Sequence, residues 1–299
     1  MNTKKLIMFL LWAFIPMIAV GLAMKAIGAT TTTIELNGAT IDTGSVLKGL
    51  IMSAGSMLIP LLAVVFTQLI FKEPVLKNLD AKFNIKPSWF IAWLIIPVII
   101  FAILGITLLM PGARWTPDSE TIQTAMAQMP AEIGVWGIIA ITVVSGLFAG
   151  ITVNALFAFG EEIAWRGYLI KLFQGKKFLT TALCIGIIWG LWHAPIILNG
   201  HNYPLHPVAG VFMMIAVCLS MTPALMYFRL KSGSVIVPAI MHGTINATAG
   251  ITLFVVTPQN DLLYGAAGLA GIIAFLLFDI GLYIYDRYKS KDKVFLSNL

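Results

Sequence analysis

Charge is what this chain has least of. Asp, Glu, Lys and Arg together make up 11% of its 299 residues, against about 25% in an ordinary soluble domain. Thirteen acidic and nineteen basic side chains are too few to coat a water-exposed surface. A disordered chain is excluded as well, because disorder needs low hydrophobicity together with high charge. Cysteine is almost missing: Cys184 and Cys218 are the two, and both lie inside apolar runs. That excludes a disulfide scaffold and predicts buried, space-filling thiols. The bases are not clustered on any soluble module, so the net charge of +6 does not indicate nucleic acid as a partner.

What remains is apolar. Ala, Val, Ile, Leu, Met, Phe, Trp, Tyr and Cys account for 59% of the residues, and mean hydropathy is +0.92. A bilayer crossing needs about 20 mainly apolar residues. Eight segments qualify: Leu6–Met24, Gly49–Phe71, Trp89–Met110, a long run from Val135 to about Leu172, Phe178–Leu198, Pro207–Phe228, Ser234–Val256 and Leu262–Tyr285. The expected fold is all-α, a polytopic membrane helix bundle of about eight transmembrane helices. Residues 1–286 form a single transmembrane domain, with its motif-bearing part at about 150–250, and 287–299 a polar tail expected to trail in the cytoplasm. The first segment resembles a signal sequence, with Lys4 and Lys5 ahead of an apolar core, but no small-residue cleavage site follows, so it is read as retained. The fourth run is too long for one straight span, and Gly146 and Gly150 mark a candidate break. The run Thr30–Thr33 opens an outer loop.

Lys and Arg set the orientation. With the N-terminus cytoplasmic, the inner segments hold Lys4, Lys5, Lys72, Lys77, Lys82, Lys86, Lys171, Lys176, Lys177, Arg229, Lys231, Arg287, Lys289, Lys291 and Lys293. The outer ones hold Lys25, Lys48 and Arg114. This bias predicts cytoplasmic N- and C-termini, in the plasma membrane.

Arg166, Glu161, Glu162 and Asp279 then fall inside predicted spans. A charged side chain at the bilayer centre costs at least ~2.5 kcal/mol, so such residues are functional candidates by default. Glu162 and Arg166 are four apart and share a helix face, where they can pair. Glu161 points about 100° away and has no helical cation, which suits a general base. The three could equally form a structural ion-pair cluster. Two of the four histidines also lie in spans: His193, four residues after Trp189, and His242, four before Asn246. His201 and His206 are read as ordinary loop residues, and Asp279 as a helix–helix hydrogen bonder. At 1.5 Å per residue, Glu161 lies at most ~20 Å above Gln174, His193 ~24 Å above Lys177, and His242 and Asn246 ~16 and ~22 Å above Lys231. Separate helices thus carry their costly polar groups to one band of a core about 30 Å thick.

EExxxR at Glu161–Arg166, aromatic-xxx-His at Trp189–His193 and HxxxN at His242–Asn246, in that order on separate spans, resemble the CPBP family, the CAAX protease and bacteriocin-processing group also called Abi proteins. The resemblance runs from about Gly150 to Asn246. It implies an intramembrane endopeptidase in which Glu161 with His193 activates water and His242 with Asn246 stabilises the oxyanion. Glu162 and Arg166 would support the geometry. Trp189 stands where many members have Phe, and is read as a conserved aromatic wall.

Neither cysteine has a helical spacing from His193 or His242 that would support a covalent route, and the HExxH of zincins is missing. Zinc, if used, would sit on Glu161, His193 and His242 with an open fourth position. The metal-free reading is preferred and no cofactor is expected, because asparagine beside His242 is a poor zinc ligand and a good donor. The expected partners are the lipid bilayer and a peptide or protein substrate with a membrane-associated C-terminus. Two readings of another class stay open: a non-catalytic bacteriocin-immunity or scaffold protein, and a proton-coupled transporter, although no internal repeats are evident.

Overall fold

A computed structural model of the chain describes residues 2–29, 33–36, 39–42, 55–83, 85–127 and 133–299. The expectations for Thr30–Thr32, Lys48 and the start of the Gly49–Phe71 segment lie outside these residues.

The chain is 73% helical. Its main helices are α1 (Thr3–Ala29), α2 (Met57–Ile70), α3 (Pro87–Leu108), α4 (Val135–Ile151), α5 (Val153–Glu162), α6 (Phe178–Trp192), α7 (Pro207–Ser232), α8 (Ile236–Thr248) and α9 (Leu269–Tyr288). Among the described residues six helices are long and apolar enough to cross a bilayer, or seven when the bent pair α4–α5 is taken as one crossing. α2 is a shorter apolar helix, so the described residues show six to seven crossings where about eight were expected, and the protein is an integral multi-pass membrane protein. The outward faces suit lipid: Leu22, Leu156 and Phe212 are large, apolar and exposed. Both cysteines are free thiols; Cys218 is buried as expected, and Cys184 is half-buried.

Two short antiparallel pairings decorate the helices, Thr33–Leu36 with Ala39–Asp42 and Arg114–Trp115 with Val256–Thr257. The last span begins later than read from hydropathy, at Leu269 rather than Leu262, because 262–268 is turn.

Apolar side chains gain little by meeting each other in lipid, so helix association depends on close packing of small residues. Gly243 of α8 shows this. A Cβ there would stand 2.7 Å from the Ala155 backbone nitrogen of α5. Gly146 and Gly150 do the same work against Thr248 and Thr244 of α8. They are packing positions and not the break itself, which falls at Thr152 with a bend of 52°.

The basic ends of the helices gather at one pole. Lys5 pairs with Glu73, and Lys231 with Asp292. Arg229 Nη2 meets Asp80 Oδ2 at 2.6 Å. Burial alone would raise the Asp80 carboxyl, but Arg229 and Lys82 hold it below its ordinary range. At the other pole His206 Nδ1 meets Asp261 Oδ1 at 2.7 Å, and Tyr203 Oη donates to the Ala267 carbonyl at 2.6 Å.

The tail corrects the sequence reading. It does not trail away. Phe295 is buried, its ring 4.7 Å from that of Phe178, and its N–H donates to Asp286 Oδ2 at 2.9 Å. Leu299 N–H donates to the Lys176 carbonyl at 3.0 Å, tying the last residue to the start of α6.

Candidate functional site

The EExxxR motif straddles a change of helix type. From Ile163 to Leu169 the chain is π-helical, continuing α5 toward Leu172. Such widened turns recur at functional sites, where they re-aim side chains that a regular helix would space evenly. Glu161, Glu162 and Arg166 are all buried.

Glu162 and Arg166 pair as their spacing predicts, Nη1 to Oε1 at 2.9 Å. The same Oε1 also lies 3.0 Å from His242 Nδ1. Arg166 has two further anchors: Nη2 donates to Thr222 Oγ1 at 3.0 Å, and the guanidinium carbon sits 4.2 Å from the centre of the Trp189 ring. Glu161, without a cation, is held by indoles. Its Oε2 accepts from Trp189 Nε1 at 2.7 Å and from Trp165 Nε1 at 3.3 Å.

His193 caps the C-terminal end of α6, immediately before Ala194-Pro195. Proline cannot continue the hydrogen-bond ladder, so the chain turns there. His193 Nδ1 lies 2.8 Å from the Trp189 carbonyl. A carbonyl only accepts, so Nδ1 carries the hydrogen in that bond and the neutral ring keeps its lone pair at Nε2. His242 sits on α8, its ring centre 5.3 Å from that of Trp189. Trp189 therefore touches Glu161, Arg166 and His242 with its ring and His193 through its backbone.

Glu161, His193, His242 and Asn246 all line one cavity of about 460 Å³. The structure thus brings together the four residues singled out as chemical, with Trp189 also on the wall and Glu162 and Arg166 behind it. Sequence reasoning missed three contributors. Trp165 lies four residues after Glu161, a signal the same helical spacing could have exposed. Thr222 and His201 carried none. His201, read as an ordinary loop residue, lines the cavity, and burial pushes its imidazole down to about 4. His206, by contrast, pairs with Asp261 outside it.

Zinc needs several protein ligands closing on one point. Among the described residues no three His, Cys, Asp or Glu side chains gather in that way. Glu161 Oε2 is occupied by two indole donors and His242 Nδ1 by Glu162. These bonds engage Glu161 Oε2 and the Nδ1 atoms of both histidines, and none of them involves Glu161 Oε1 or either Nε2.

Residues 135–248 match the sequence model of the family described as type II CAAX prenyl endopeptidase Rce1-like. Over 126 residues the chain is 28% identical to a CAAX prenyl protease 2 of Methanococcus maripaludis, a stretch covering 40% of this chain and 45% of that protein. The chain therefore spans about half the length of the relative it matches.

Proposed function

We propose that the chain, whose residues 135–248 match the Rce1-like family model, is a member of the CPBP family and an intramembrane endopeptidase acting on a peptide bond near a membrane-associated segment of its substrate. The observation that carries this reading is the cavity in which Glu161, His193, His242 and Asn246 meet from separate helices.

Peptide hydrolysis needs a base for water and donors for the oxyanion. The indoles occupy Glu161 Oε2, which leaves Oε1 to take a proton from water, with His193 Nε2 accepting a second hydrogen bond from the same molecule. The water oxygen then bonds to the scissile carbonyl carbon and the carbonyl oxygen takes up negative charge. His242 and Asn246 donate to that oxygen. Because His242 Nδ1 faces the Glu162 carboxylate, a second donor at Nε2 requires the imidazolium, and the Glu162 anion supports it. On collapse the C–N bond breaks, and the proton held by Glu161 passes to the leaving amine. Glu162 and Arg166 are positioning residues in this scheme: they fix His242 and the Trp189 ring and touch no substrate.

The mechanism we propose uses no metal. The basic pole lies on the cytoplasmic side, with both chain termini, and the membrane is the plasma membrane.

The test is incubation of the purified full-length protein in detergent with an undecapeptide library, with cleavage sites read by mass spectrometry. Wild type cutting a subset of peptides internally, while Glu161→Gln cuts none, is the expected result. A folded wild type that leaves every peptide intact would overturn the reading.

A further inference from the structure

The cavity occupies a consistent half of each helix that forms it. In α6 its residues are Trp189 and His193, at the end remote from Lys177. In α7 they run from Met214 to Met221, while Arg229 and Lys231 lie in the last turn. In α8 they are His242, Ile245 and Asn246, in the half farther from Lys231. In α5 the sequence is Asn154, Phe157 and Glu161, with Lys171 beyond. In α2 it is Met57, at the start, with Lys72 just past the other end. Five helices of alternating direction agree. Loop residues complete the rim, and they are His201, Asn202, Ala266 and Ala267. These belong to the pole of the His206–Asp261 and Tyr203–Ala267 contacts, opposite the Lys5–Glu73, Arg229–Asp80 and Lys231–Asp292 pairs.

Basic loops stay on the cytoplasmic side of a membrane. Resting on the catalytic reading above, we infer that the cavity opens to the extracytoplasmic face, and that its substrate is an uncharged, apolar peptide segment presented from outside the cell. The lining supports the chemistry. Met214, Val217, Met221 and Ile245 make apolar walls, and Glu161 is the one carboxylate among the described lining residues. None of those residues is Lys or Arg, and in the proposed mechanism the donors His242 and Asn246 are engaged by the scissile carbonyl, so the segment is gripped along its apolar length. A cytoplasmic lipidated terminus would have to cross the bilayer before it met Glu161.

The experiment uses the full chain with Cys184→Ala and Cys218→Ala, carrying either Asn202→Cys at the rim or Lys86→Cys at the basic pole, in intact cells treated with a membrane-impermeant maleimide. Asn202→Cys should label without permeabilisation, and Lys86→Cys should fail to label until the membrane is opened. In parallel, an impermeant fluorogenic peptide, the best library sequence with charged residues only on flanks shown in detergent to be tolerated, should be cut by right-side-out vesicles, with loss of cleavage in sealed inverted ones. Labelling of Lys86→Cys but not Asn202→Cys from outside would overturn the inference while leaving the protease reading intact. So would cleavage confined to inverted vesicles, or found with neither by a protein active in detergent. A protein inactive in detergent would defeat the catalytic reading and with it the assigned substrate, while the labelling pattern would still decide which face the cavity opens to.

Discussion

His242 Nδ1 lies 3.0 Å from Glu162 Oε1, although 80 residues separate the two in sequence. The second glutamate of the EExxxR motif is thereby more than the partner of Arg166. It is the hinge between the first motif and the third, and its loss has two consequences at once.

Glu162→Gln leaves Arg166 as a buried cation without its carboxylate, and breaking a buried pair costs roughly 3–5 kcal/mol. It also takes the anion away from His242. The variant should therefore melt or express worse than wild type, and the folded fraction should turn over more slowly. Adding Arg166→Met removes the uncompensated charge and should restore part of the stability but not the rate, because His242 still lacks its anion. Melting temperature and kcat, measured on the same detergent-purified variants, separate these effects. Full recovery of both in the double variant would show that Glu162 serves Arg166 alone.

Trp189→Phe deletes the indole N–H that reaches Glu161 at 2.7 Å and keeps a ring for the Arg166 guanidinium. Trp165 remains as a second donor, so the loss should be partial: kcat down ~10-fold, equivalent to about 1.4 kcal/mol, with KM little changed. A 3-benzothienylalanine at 189, isosteric but without the N–H, should reproduce the defect at an unchanged melting temperature. If that isostere turns over at the wild-type rate, Trp189 is only the aromatic wall that its letter suggested.

How much of this was legible beforehand follows from what is local. The membrane class, the spans and the Glu162–Arg166 pair all depend on composition or on spacing within one helix, and each was readable. The convergence of Glu161, His193, His242 and Asn246 was readable too, because depth along a helix is simple arithmetic. The Glu162–His242 bond was not, since it depends on how α5 and α8 rotate about their axes, and Gly243 sets that by admitting the Ala155 backbone. Trp189 was seen as shape and not as a donor because no spacing rule links it to Glu161 on another helix. The tail was misread for a plainer reason. Its charged letters suggest solvent, but buried Val294 and Phe295 and the Leu299–Lys176 backbone bond dock it.

Metal dependence is the third expectation. Activity should survive exhaustive chelation, and elemental analysis of the active protein should find no stoichiometric zinc. One zinc per chain, lost together with activity and restored with it, would replace the Glu161 mechanism by a metal-activated water.

At the basic pole the Asp80–Arg229 pair should matter little. Arg229 is buried but the Asp80 side chain is 37% exposed, so water reaches one side of the pair. The asparagine amide oxygen can still accept from Arg229, and Asp80→Asn should cost about 1 kcal/mol, less than the loss of Glu162 from its fully buried pair. The Asp80 carboxyl is held below its ordinary value, so its contribution is present above the usual Asp range and is lost as pH falls through the lowered value. The melting-temperature gap between wild type and Asp80→Asn should then close in strong acid. A gap that widens as pH falls would reverse the assigned sign.

The central claim is that Glu161, and not its neighbour, is the base. The direct measurement is single-turnover cleavage of the best library peptide by Glu161→Gln, with folding checked by melting temperature. Glutamine keeps the volume and accepts the indole hydrogen bonds but cannot take a proton, and general-base catalysis contributes about 10²–10⁴-fold. The account predicts a rate down by at least about 10²-fold in a protein that melts near the wild-type temperature. A folded Glu161→Gln that cleaves at close to the wild-type rate, beside a folded Glu162→Gln that does not cleave at all, would contradict it and exchange the roles of the two carboxylates.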